Sequence, residues 1–269
     1  ELHCKACKSA YPISHGVPVL LPSPKGFDRY ENPSYIANYF YLHYADLLGQ
    51  DARDILFYEG LVEGSDTFLE VGCGPGRLTL EMGRRFPLAV GIDYSFSFLK
   101  SALRLLRGKA LRFGLPLEGE LAIPISIAPP EDWQELSVEF IAADAHNLPF
   151  PKDTFGSIAS INLIDRIRDP VAALKEMDRV LKEKGAHFLI ADPFSWSEEF
   201  TPCSRWLGGR QRGPFRGRGI ENLRRILEGD LNIFSPPLGS IISGEHTWTL
   251  RAHENRRELI RSLYLKAKR

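Results

Sequence analysis

The stretch FLEVGCGPGRLTLEMGRRFPLAVGIDYS at residues 68–95 contains the pattern that decides the fold. An apolar segment typical of a buried strand leads into three glycines within five residues, and a segment with helical spacing follows. A second apolar segment then ends at the acid Asp93. Strand, glycine turn, helix and strand in this order are typical of a parallel sheet that helices cover on both faces.

The same alternation continues outward from this stretch. Apolar segments predict strands at 67–71, 88–92, 138–142, 156–161 and 186–192, with helices at 76–85, 95–107 and 170–182. Helices are also predicted at 30–49 and 53–61, and the tail predicts a strand at 246–252 followed by a basic helix. We therefore expect an α/β fold with a Rossmann-like sheet and helices on both faces.

Two segments interrupt the alternation. Residues 113–135 are rich in proline and glycine and predict an inserted loop or hairpin. Residues 194–219 have no clear period. Because long segments without regular structure are uncommon in compact domains, they often act as lids or binding loops. We expect this role for residues 194–219.

The composition limits the classes of protein. With 269 residues the chain can bury one large core, and 34 acidic against 34 basic residues give no net charge that would attract nucleic acid or an anionic membrane. No apolar run approaches the roughly 20 residues that cross a bilayer. Four cysteines, only two of them close in sequence, give no disulfide framework. We expect a cytoplasmic protein with one main domain and neither membrane nor nucleic acid as a partner; the oligomeric state stays open.

The glycine loop follows the first predicted strand, where ligands bind in sheets of this kind. Glycines at 72, 74 and 76 allow the backbone to approach a ligand closely, but a dinucleotide fingerprint would need a further glycine where Arg77 stands. Glu70 would lie unfavourably near a pyrophosphate, whereas it complements a ligand with an ammonium and a sulfonium group. S-adenosylmethionine (SAM) carries both groups. The loop therefore favours SAM without excluding a dinucleotide.

Two further acids end neighbouring strands. Asp93 closes the second strand, where a carboxylate can accept hydrogen bonds from both ribose hydroxyls of either NAD or SAM. Asp144 ends the third strand, where it could face an adenine amino group. Each acid alone could be a helix N-cap or a solvated turn residue. Three acids at three successive strand ends indicate a nucleoside site much more specifically.

From residue 67 to 191 these motifs resemble those of class I SAM-dependent methyltransferases. The matching motifs are, in order, EVGCGPG (70–76), GIDYS (91–95), AADAHNLPF (142–150) and INLIDRIRDPVAALKEMDRVLKEKG (161–185). The resemblance implies a seven-stranded sheet with its last strand antiparallel, SAM as cofactor, and N-terminal lid helices at 25–62. It also implies SAM contacts for Glu70, Gly72, Cys73, Gly74, Gly76, Asp93, Tyr94, Ser95, Asp144, Ala145, Asn162 and Leu163.

A narrower resemblance concerns NLIDRIRDP (162–170), the insertion around 118–120 and DPFSWSEEFTPCSRWLGG (192–209). These motifs are similar to the methyltransferase domain of ovothiol synthase and its stand-alone relatives, which methylate a ring nitrogen of a thiol-bearing histidine. The resemblance implies a small-molecule acceptor and makes 194–219 a substrate-side loop. An amino acid acceptor needs a cation for its carboxylate, an acid for its ammonium and a wall for its ring. The residues available for this are Arg166, Trp196, Glu198, Glu199, Trp206 and Arg251.

The catalytic candidates are Asp165, His43 and Asn162, with His146 as another possible base. Methyl transfer from a sulfonium needs alignment and sometimes a base, so no catalytic motif is obligatory. Each candidate also has a structural interpretation. Asp165 could cap the helix that begins near residue 170, His146 could order its loop, and His43 could pack on an aromatic helix.

Other acceptors and another class of function stay open. RWLGGRQRGPFRGRG, residues 205–219, carries five arginines and could bind RNA phosphate, although a mobile solvated loop is the simpler interpretation. An RNA or protein methyltransferase is therefore an alternative to a small-molecule enzyme. A non-catalytic SAM-binding regulatory subunit is a second alternative.

The first 24 residues form a short segment of their own, and the domain is expected to occupy 25–269. YPISHGVPVLL (11–21) resembles the C-terminal half of the zinc ribbon in the activator subunit of tRNA and protein methyltransferases. Cys4 and Cys7 supply only half of a tetrahedral zinc site, which His3 or His15 could complete. We expect a metal-free turn and no bound zinc.

Overall fold

Alternating apolar segments form the strands of the main sheet, as the sequence predicts. The computed structural model of the protein describes residues 1–5, 8–21, 28–51 and 56–269. Its strands are β1 (Leu2–His3), β2 (Ala10–Tyr11), β3 (Ile13–Ser14), β4 (Val17–Pro18), β5 (Thr67–Val71), β6 (Leu88–Asp93), β7 (Leu111–Pro116), β8 (Ala122–Ile127), β9 (Val138–Ala142), β10 (Ser157–Ile161), β11 (His187–Asp192), β12 (Gly239–His253) and β13 (Arg256–Lys268). The α-helices of this part of the chain are α1 (Pro33–His43), α2 (Arg77–Met82), α3 (Phe96–Leu106), α4 (Pro170–Val180) and α5 (Gly219–Leu227).

Seven strands form one mixed sheet in the order β12-β13-β11-β10-β5-β6-β9. The strands β5, β10 and β11 pair in parallel, as do β6 and β9, whereas β13 pairs antiparallel with β11. This α/β, Rossmann-like sheet with helices confirms the predicted fold class, including the antiparallel last strand. The five predicted strands from 67 to 192 agree with the structure to within one residue at each end.

The predicted basic helix at the C-terminus is wrong, because residues 256–268 form strand β13. Its segment Leu263–Lys268 pairs with Asp192–His187 of β11, and this pairing buries Leu265 and Ala267. Lysine, arginine, leucine and alanine all favour helices, which suggested the helix from sequence. Burial against a neighbouring strand outweighs that local preference.

The chain divides into two compact units. The first consists of Glu1–Gly60, Cys73–Asp144 and Trp248–Ile260, and the second of Leu61–Gly72, Ala145–Thr247 and Arg261–Arg269. In the first unit, helix α3 is capped by Ser95, whose hydroxyl accepts the N–H of Phe98 at 3.3 Å. Its apolar face, which includes Leu99 and Ala102, is fully buried, and it packs on β9.

The predicted insertion at 113–135 contains a hairpin. Strands β7 and β8 pair antiparallel across it, and a 3-10 helix at Glu131–Glu135 follows. Helix α1 packs on β7. The helix itself carries aromatic residues of the predicted lid. The predicted helix at 53–61 lies partly outside the described residues, and Phe57–Leu61 forms a 3-10 helix.

The N-terminal segment adds to the edge of the sheet. Leu20 donates its N–H to the carbonyl of Ala142 at 2.8 Å, next to a parallel bridge between Val19 and Ala142. Val17 is fully buried. Backbone groups at an exposed sheet edge invite pairing with other chains, so this segment protects part of β9. None of the helices in the described ranges is long and apolar enough to cross a membrane.

Candidate functional site

In the first unit, the glycine loop folds as a tight turn with positive φ angles. Gly74 has φ +48° and Gly76 has φ +80°, a region that favours glycine. A Cβ atom at Gly76 would lie 2.7 Å from the Phe140 ring, so this glycine allows close packing of the turn on β9. A Cβ atom at Gly74 would meet nothing within 4 Å. Gly74 therefore leaves open space above the backbone, as a ligand cradle requires.

Asp93 is bound to this turn through its carboxylate. Oδ2 accepts the N–H of Gly74 and Oδ1 accepts the N–H of Ser95, both at 2.8 Å. Burial raises the pKa of Asp93 above its ordinary value, and the backbone N–H groups oppose this shift. A carboxylate has about four lone-pair positions, and the backbone N–H of Tyr94 also acts on Asp93, so at least one position remains for a further donor. A ribose hydroxyl is such a donor, and the residues present fit the ribose of SAM.

The remaining predicted nucleoside residues of this unit lie near the same strand ends. Partial burial and the negative charge of Asp144 raise the pKa of Tyr94, which indicates that these two side chains are neighbours. The Ser95 hydroxyl caps α3 and donates to the carbonyl of Tyr30 at 2.9 Å, so its role is at least structural. The Cys73 side chain is buried, and its Sγ lies 4.0 Å from the carbonyl oxygen of Gly74 in the turn.

In the second unit, Gly72 and Leu163 are in close contact. A Cβ atom at Gly72, where φ is +79°, would lie 2.8 Å from a terminal carbon of Leu163. Asn162 also has a positive φ of +54°, and its Oδ1 accepts the Ser262 hydroxyl at 2.6 Å. Glu70 is buried and Ala145 half-buried. Positive φ at a residue other than glycine costs about 1–3 kcal/mol and is frequent at functional sites.

Two buried carboxyl groups hold the loops after β10 and β11 together. Asp192 Oδ2 accepts the N–H of Asp165 at 3.2 Å, and Asp165 Oδ2 accepts the N–H of Ser195 at 2.6 Å. Asp192 Oδ1 also accepts the N–H of Phe194 at 2.7 Å. Burial raises the pKa of Asp165, and burial together with the charge of Asp165 raises the pKa of Asp192 well above its ordinary value.

One oxygen of this pair accepts no hydrogen bond in the described chain. Asp165 Oδ1 is buried and accepts no hydrogen bond within the described chain, although Arg166 Nε lies 3.2 Å away as an ion-pair partner. The guanidinium of Arg166 also lies 5.0 Å from the ring centre of Phe200. Asp165 does not cap helix α4, because Asp169 accepts the N–H of Ala172 at 3.1 Å in that role. Buried polar atoms without partners are uncommon and call for a functional explanation.

Two tryptophans of segment 194–219 pack against each other. Trp196 and Trp206 stack with ring centres 6.2 Å apart and planes 17° apart. Trp206 Nε1 donates to the carbonyl of Thr201 at 2.8 Å, which fixes that ring, whereas Trp196 Nε1 is buried without a partner in the described residues. Glu198 and Glu199 are exposed on the same loop.

Hydrogen bonds connect the two sides of the arginine-rich segment 205–218. Gly209 and Gly217 each donate an N–H across it, to Gly217 and Arg210 respectively, at 2.7 and 2.8 Å. The buried Asn222 amide donates to the carbonyls of Leu207 and Arg216 at 2.9 and 3.0 Å. These bonds join the two ends of the segment to each other and to helix α5, and its mobility stays a prediction.

The histidine candidates and Arg251 lie elsewhere. His146 Nε2 accepts the N–H of Asp169 at 3.1 Å, so this ring orders its loop in the second unit. His43 lies at the end of α1 in the first unit, where burial and the charge of Arg77 lower its pKa to about 3. Such a ring accepts protons weakly at neutral pH. Arg251 is buried in the first unit and bonds to Asn38 and Pro116.

Comparisons with known proteins find methyltransferases. The sequence profile of the methyltransferase domain matches residues 69–189. An uncharacterized methyltransferase of Schizosaccharomyces pombe is 31% identical over 126 residues, which are 46% of this chain and 39% of that protein. A ubiquinone biosynthesis O-methyltransferase of Parvibaculum lavamentivorans is 27% identical over 141 residues, 52% and 44% of the two chains. The chain thus spans less than half the length of these two curated relatives.

Two solved structures share the fold. The YcgJ protein from Bacillus subtilis aligns with a TM-score of 0.50 at 15% identity, over 84% of this chain and 99% of that one. A chain from the complex of the Haloferax volcanii Trm112 methyltransferase activator with a methyltransferase aligns with a TM-score of 0.50 at 11% identity, over 88% and 97%. Residues 69–189 match the methyltransferase domain, and the seven-stranded sheet has the Rossmann-like fold of class I SAM-dependent methyltransferases.

The methyltransferase domain has one buried acid that the sequence analysis missed. Asp192 ends β11, as Asp93 ends β6, and the same criterion of an acid at a strand end would have identified it. Asp165 is a catalytic candidate of the sequence, but its partner Asp192 was not predicted. In the described part of the chain no group of His, Cys, Asp and Glu could hold a metal; Cys7 lies outside that part.

Proposed function

We propose that this chain transfers the methyl group of SAM to a small-molecule acceptor. The single observation that carries the proposal is the Asp93 carboxylate, which the N–H groups of Gly74 and Ser95 orient at the end of β6, beside the glycine loop. The methyltransferase domain match and the open space at Gly74 support it.

The residues for SAM are assigned by unit. In the first unit, Gly74 and Gly76 form the loop with the backbone of Cys73, Asp93 accepts the ribose hydroxyls beside Tyr94 and Ser95, and Asp144 accepts the adenine amino group. In the second unit, Glu70 and Gly72 are assigned to the methionine end, Asn162 and Leu163 to the sulfonium side, and Ala145 to the adenine. A carboxylate such as Glu70 complements the positive charges of SAM.

Asp165 is the proposed proton acceptor. Bound SAM supplies an electrophilic methyl group on a positively charged sulfur. The acceptor nitrogen forms the new N–CH3 bond, the S–CH3 bond breaks with its electron pair remaining on sulfur, and Asp165 Oδ1 takes the proton. A pKa raised by burial makes Asp165 a better base than an ordinary carboxylate. His43, with a pKa of about 3, suits this role less well.

The proposed acceptor is a ring nitrogen of a thiol-bearing histidine-like amino acid. The stacked Trp196 and Trp206 rings provide a flat aromatic surface, and Asp165 Oδ1 provides a buried hydrogen-bond acceptor for a ring N–H. Arg166 and Glu198 are the charged groups in the same unit for the polar ends of such a molecule. The small-molecule O-methyltransferase among the relatives is compatible with a small acceptor.

The experiment uses SAM with a labelled methyl group. We expect label transfer to thiol-histidine analogues and 10²–10⁴-fold slower transfer by Asp165→Asn, the usual contribution of a general base. Glu221→Gln, an exposed carboxylate change on α5, is the matched control. SAM binding without transfer to any acceptor in metabolite extracts would favour the regulatory subunit. Label in RNA or protein alone would overturn the small-molecule proposal.

RNA is the second candidate acceptor, because the arginine-rich segment 205–218 carries exposed arginines that have no ion-pair partner in the described residues. Arg212, Arg216 and Arg218 are exposed and form no ion pair within the described residues. Exposed arginines suit phosphates. Transfer of label to total RNA, lost on changing Arg212 and Arg216 to Gln, would support this candidate.

Three further assignments stay proposals. Residues 1–24 are proposed as a partial ribbon without zinc, 25–62 as lid helices, and 25–269 as the domain that carries the insertion 113–135 and the substrate-side loop 194–219. The cytoplasmic location stays a prediction.

A further inference from the structure

We propose that Arg77 and Tyr44 are positioning residues that link the end of helix α1 to the glycine loop. Arg77 is the first residue of α2 and stands where a dinucleotide fingerprint would need a further glycine. The residues that form this link all lie in the first unit. The link rests on the proposed SAM site and adds to it a control over the shape of the loop.

Two carboxylates bind the guanidinium of Arg77, which is buried with 4% of the residue exposed. Its Nη1 and Nη2 donate to the two oxygens of Asp46 at 2.6 and 2.9 Å, and Nη1 also donates to the carbonyl of His43 at 3.4 Å. Its Nε donates to Glu81 at 2.9 Å. Glu81 belongs to α2 itself, whereas Asp46 belongs to the 3-10 helix Ala45–Leu48 that follows α1. Asp46 therefore supplies the bond that crosses from α2 to the predicted lid.

The bond between Arg77 and Asp46 has the geometry of a strong ion pair. Two hydrogen bonds between a guanidinium and a carboxylate fix the relative orientation of the two groups. Burial would raise the pKa of Asp46, but the hydrogen bonds and the charge of Arg77 hold this pKa below its ordinary value. Glu81 lies 2.8 Å from the same guanidinium as a second counter-charge. Loss of Asp46 alone would therefore break the bond to the lid without leaving Arg77 unpaired.

A second bond reaches the glycine loop directly. The hydroxyl of Tyr44, the residue that ends α1, donates to the carbonyl of Pro75 at 2.7 Å. Pro75 lies between Gly74 and Gly76, whose positive φ angles shape the turn. Tyr44 is fully buried, and its ring stacks on Phe40 of α1 with the planes 18° apart. Helix α1 thus holds the ring, and the hydroxyl holds the carbonyl that precedes the second glycine.

The glycine loop is therefore held from two sides. Asp93 of β6 accepts the N–H of Gly74, and the end of α1 holds Pro75 and Arg77. Because glycine adopts many backbone conformations, the shape of this loop depends on such bonds. A ligand that needs one loop shape then also favours an ordered α1, and an ordered α1 favours the ligand by the same factor. We expect SAM binding and the order of α1 to be coupled.

The first experiment compares SAM affinity in the wild type, Tyr44→Phe, Asp46→Asn and the matched control Glu81→Gln. Tyr44→Phe removes one hydroxyl and keeps the ring, so we expect about 2-fold to 10-fold weaker binding. Asp46→Asn breaks the ion pair to the lid, so we expect about 5-fold to 150-fold weaker binding. Glu81→Gln removes a carboxylate from the same guanidinium without touching α1, and it should weaken binding less than Asp46→Asn.

Two results of this titration would overturn the proposal. One is wild-type affinity in both Tyr44→Phe and Asp46→Asn. The other is an equal or greater loss of affinity in Glu81→Gln than in Asp46→Asn, because Arg77 would then act only as a general support of α2. Tyr44→Phe changes no charge, so it keeps the test decisive if Asp46→Asn does not fold.

Amide hydrogen exchange separates a link from a general loss of stability. The N–H groups of Tyr44, Leu47 and Gly49 bond within α1 and the turn that follows it. We expect SAM to slow exchange at residues 36–49 in the wild type and in Glu81→Gln, and to slow it less in Asp46→Asn. A variant that is merely less stable would keep this SAM-dependent protection. Equal protection by SAM in all three proteins would overturn the proposal.

The link is also testable without SAM. In the unliganded proteins, we expect Asp46→Asn to speed amide exchange at Gly74 and Gly76 as well as at residues 36–49. The control Asp132→Asn removes an exposed partner of Arg84 and should keep wild-type rates at both places. If the wild type binds no SAM, the proposed function is wrong, and this comparison still decides the link. Wild-type exchange at both glycines in Asp46→Asn would overturn it.

Discussion

The carboxylate of Asp192 accepts the backbone N–H of Asp165 at 3.2 Å, and both side chains are fully buried. Asp165 in turn accepts the N–H of Ser195, three residues beyond Asp192. Each acid thus fixes the loop that carries the other. This reciprocal arrangement holds the proposed base in place through backbone groups and makes Asp192 a positioning residue.

Asp192→Asn should reduce the pH dependence of stability. The pKa of Asp192 lies well above its ordinary value of 3.8 in the folded protein. The folded state therefore binds a proton that the unfolded chain releases above about pH 4, and the unfolding free energy falls as pH rises through the raised pKa. In urea unfolding between pH 4 and 8, the unfolding free energy of Asp192→Asn should fall less than that of the wild type. The unfolding free energy of Glu221→Gln should fall as much as that of the wild type. An unchanged slope in Asp192→Asn contradicts this prediction.

Gly74→Ala should weaken SAM binding without unfolding the protein. A non-glycine residue with positive φ costs about 1–2 kcal/mol, and the new methyl group meets no protein atom within 4 Å, so it occupies the open space above the loop. Gly119→Ala is a matched control, because Gly119 also has positive φ and no neighbour within 4 Å, but lies in the β7–β8 hairpin. Calorimetric titration with SAM should show a loss of affinity in Gly74→Ala and wild-type affinity in Gly119→Ala. Equal affinities would show that the loop does not face SAM.

Asp93→Ala should lower SAM affinity by about 10-fold to 100-fold, because charge-assisted hydrogen bonds contribute about 1.5–3 kcal/mol each and the loop loses its support as well. The control is Glu139→Ala, which removes an exposed carboxylate of β9. Circular dichroism checks that both variants stay folded, and SAM titration gives the affinities. Wild-type affinity in Asp93→Ala would remove the basis of the proposed ribose contact.

Much of the fold was predictable, because buried parallel strands are continuous apolar segments in the sequence. The glycines between the first strand and its helix also indicated the position of the turn. The C-terminal strand was not predictable, because its helix-favouring residues form a strand only through pairing with β11. The Arg251–Asn38 contact joins residues 213 positions apart, which one sequence does not reveal. The nucleoside acids were predictable from their positions at strand ends, whereas the partner of Asp165 depends on how two loops meet.

His43→Gln should reduce the loss of stability in acid. Burial, and next the charge of Arg77, lower the His43 pKa from 6.5 to about 3, so the unfolded chain binds a proton that the folded protein refuses. The unfolding free energy therefore falls as pH decreases from about 6.5 toward 3. Glutamine cannot become charged, and its variant should lose less stability across this range in urea titrations. The exposed His3→Gln is the control, and an identical loss in both variants contradicts the prediction.

Val17→Ala tests whether the N-terminal segment stabilises the sheet edge. Val17 is 0% exposed, so the substitution should lower the unfolding free energy by about 1–3 kcal/mol. Ile13 on the neighbouring strand is 46% exposed, and Ile13→Ala should change the unfolding free energy by no more than about 0.5 kcal/mol. Because the segment pairs with Ala142, the less stable variant should also expose the edge of β9 and aggregate at lower temperature, which light scattering during heating measures. Equal stability of the two variants would show that the segment adds nothing to the sheet edge.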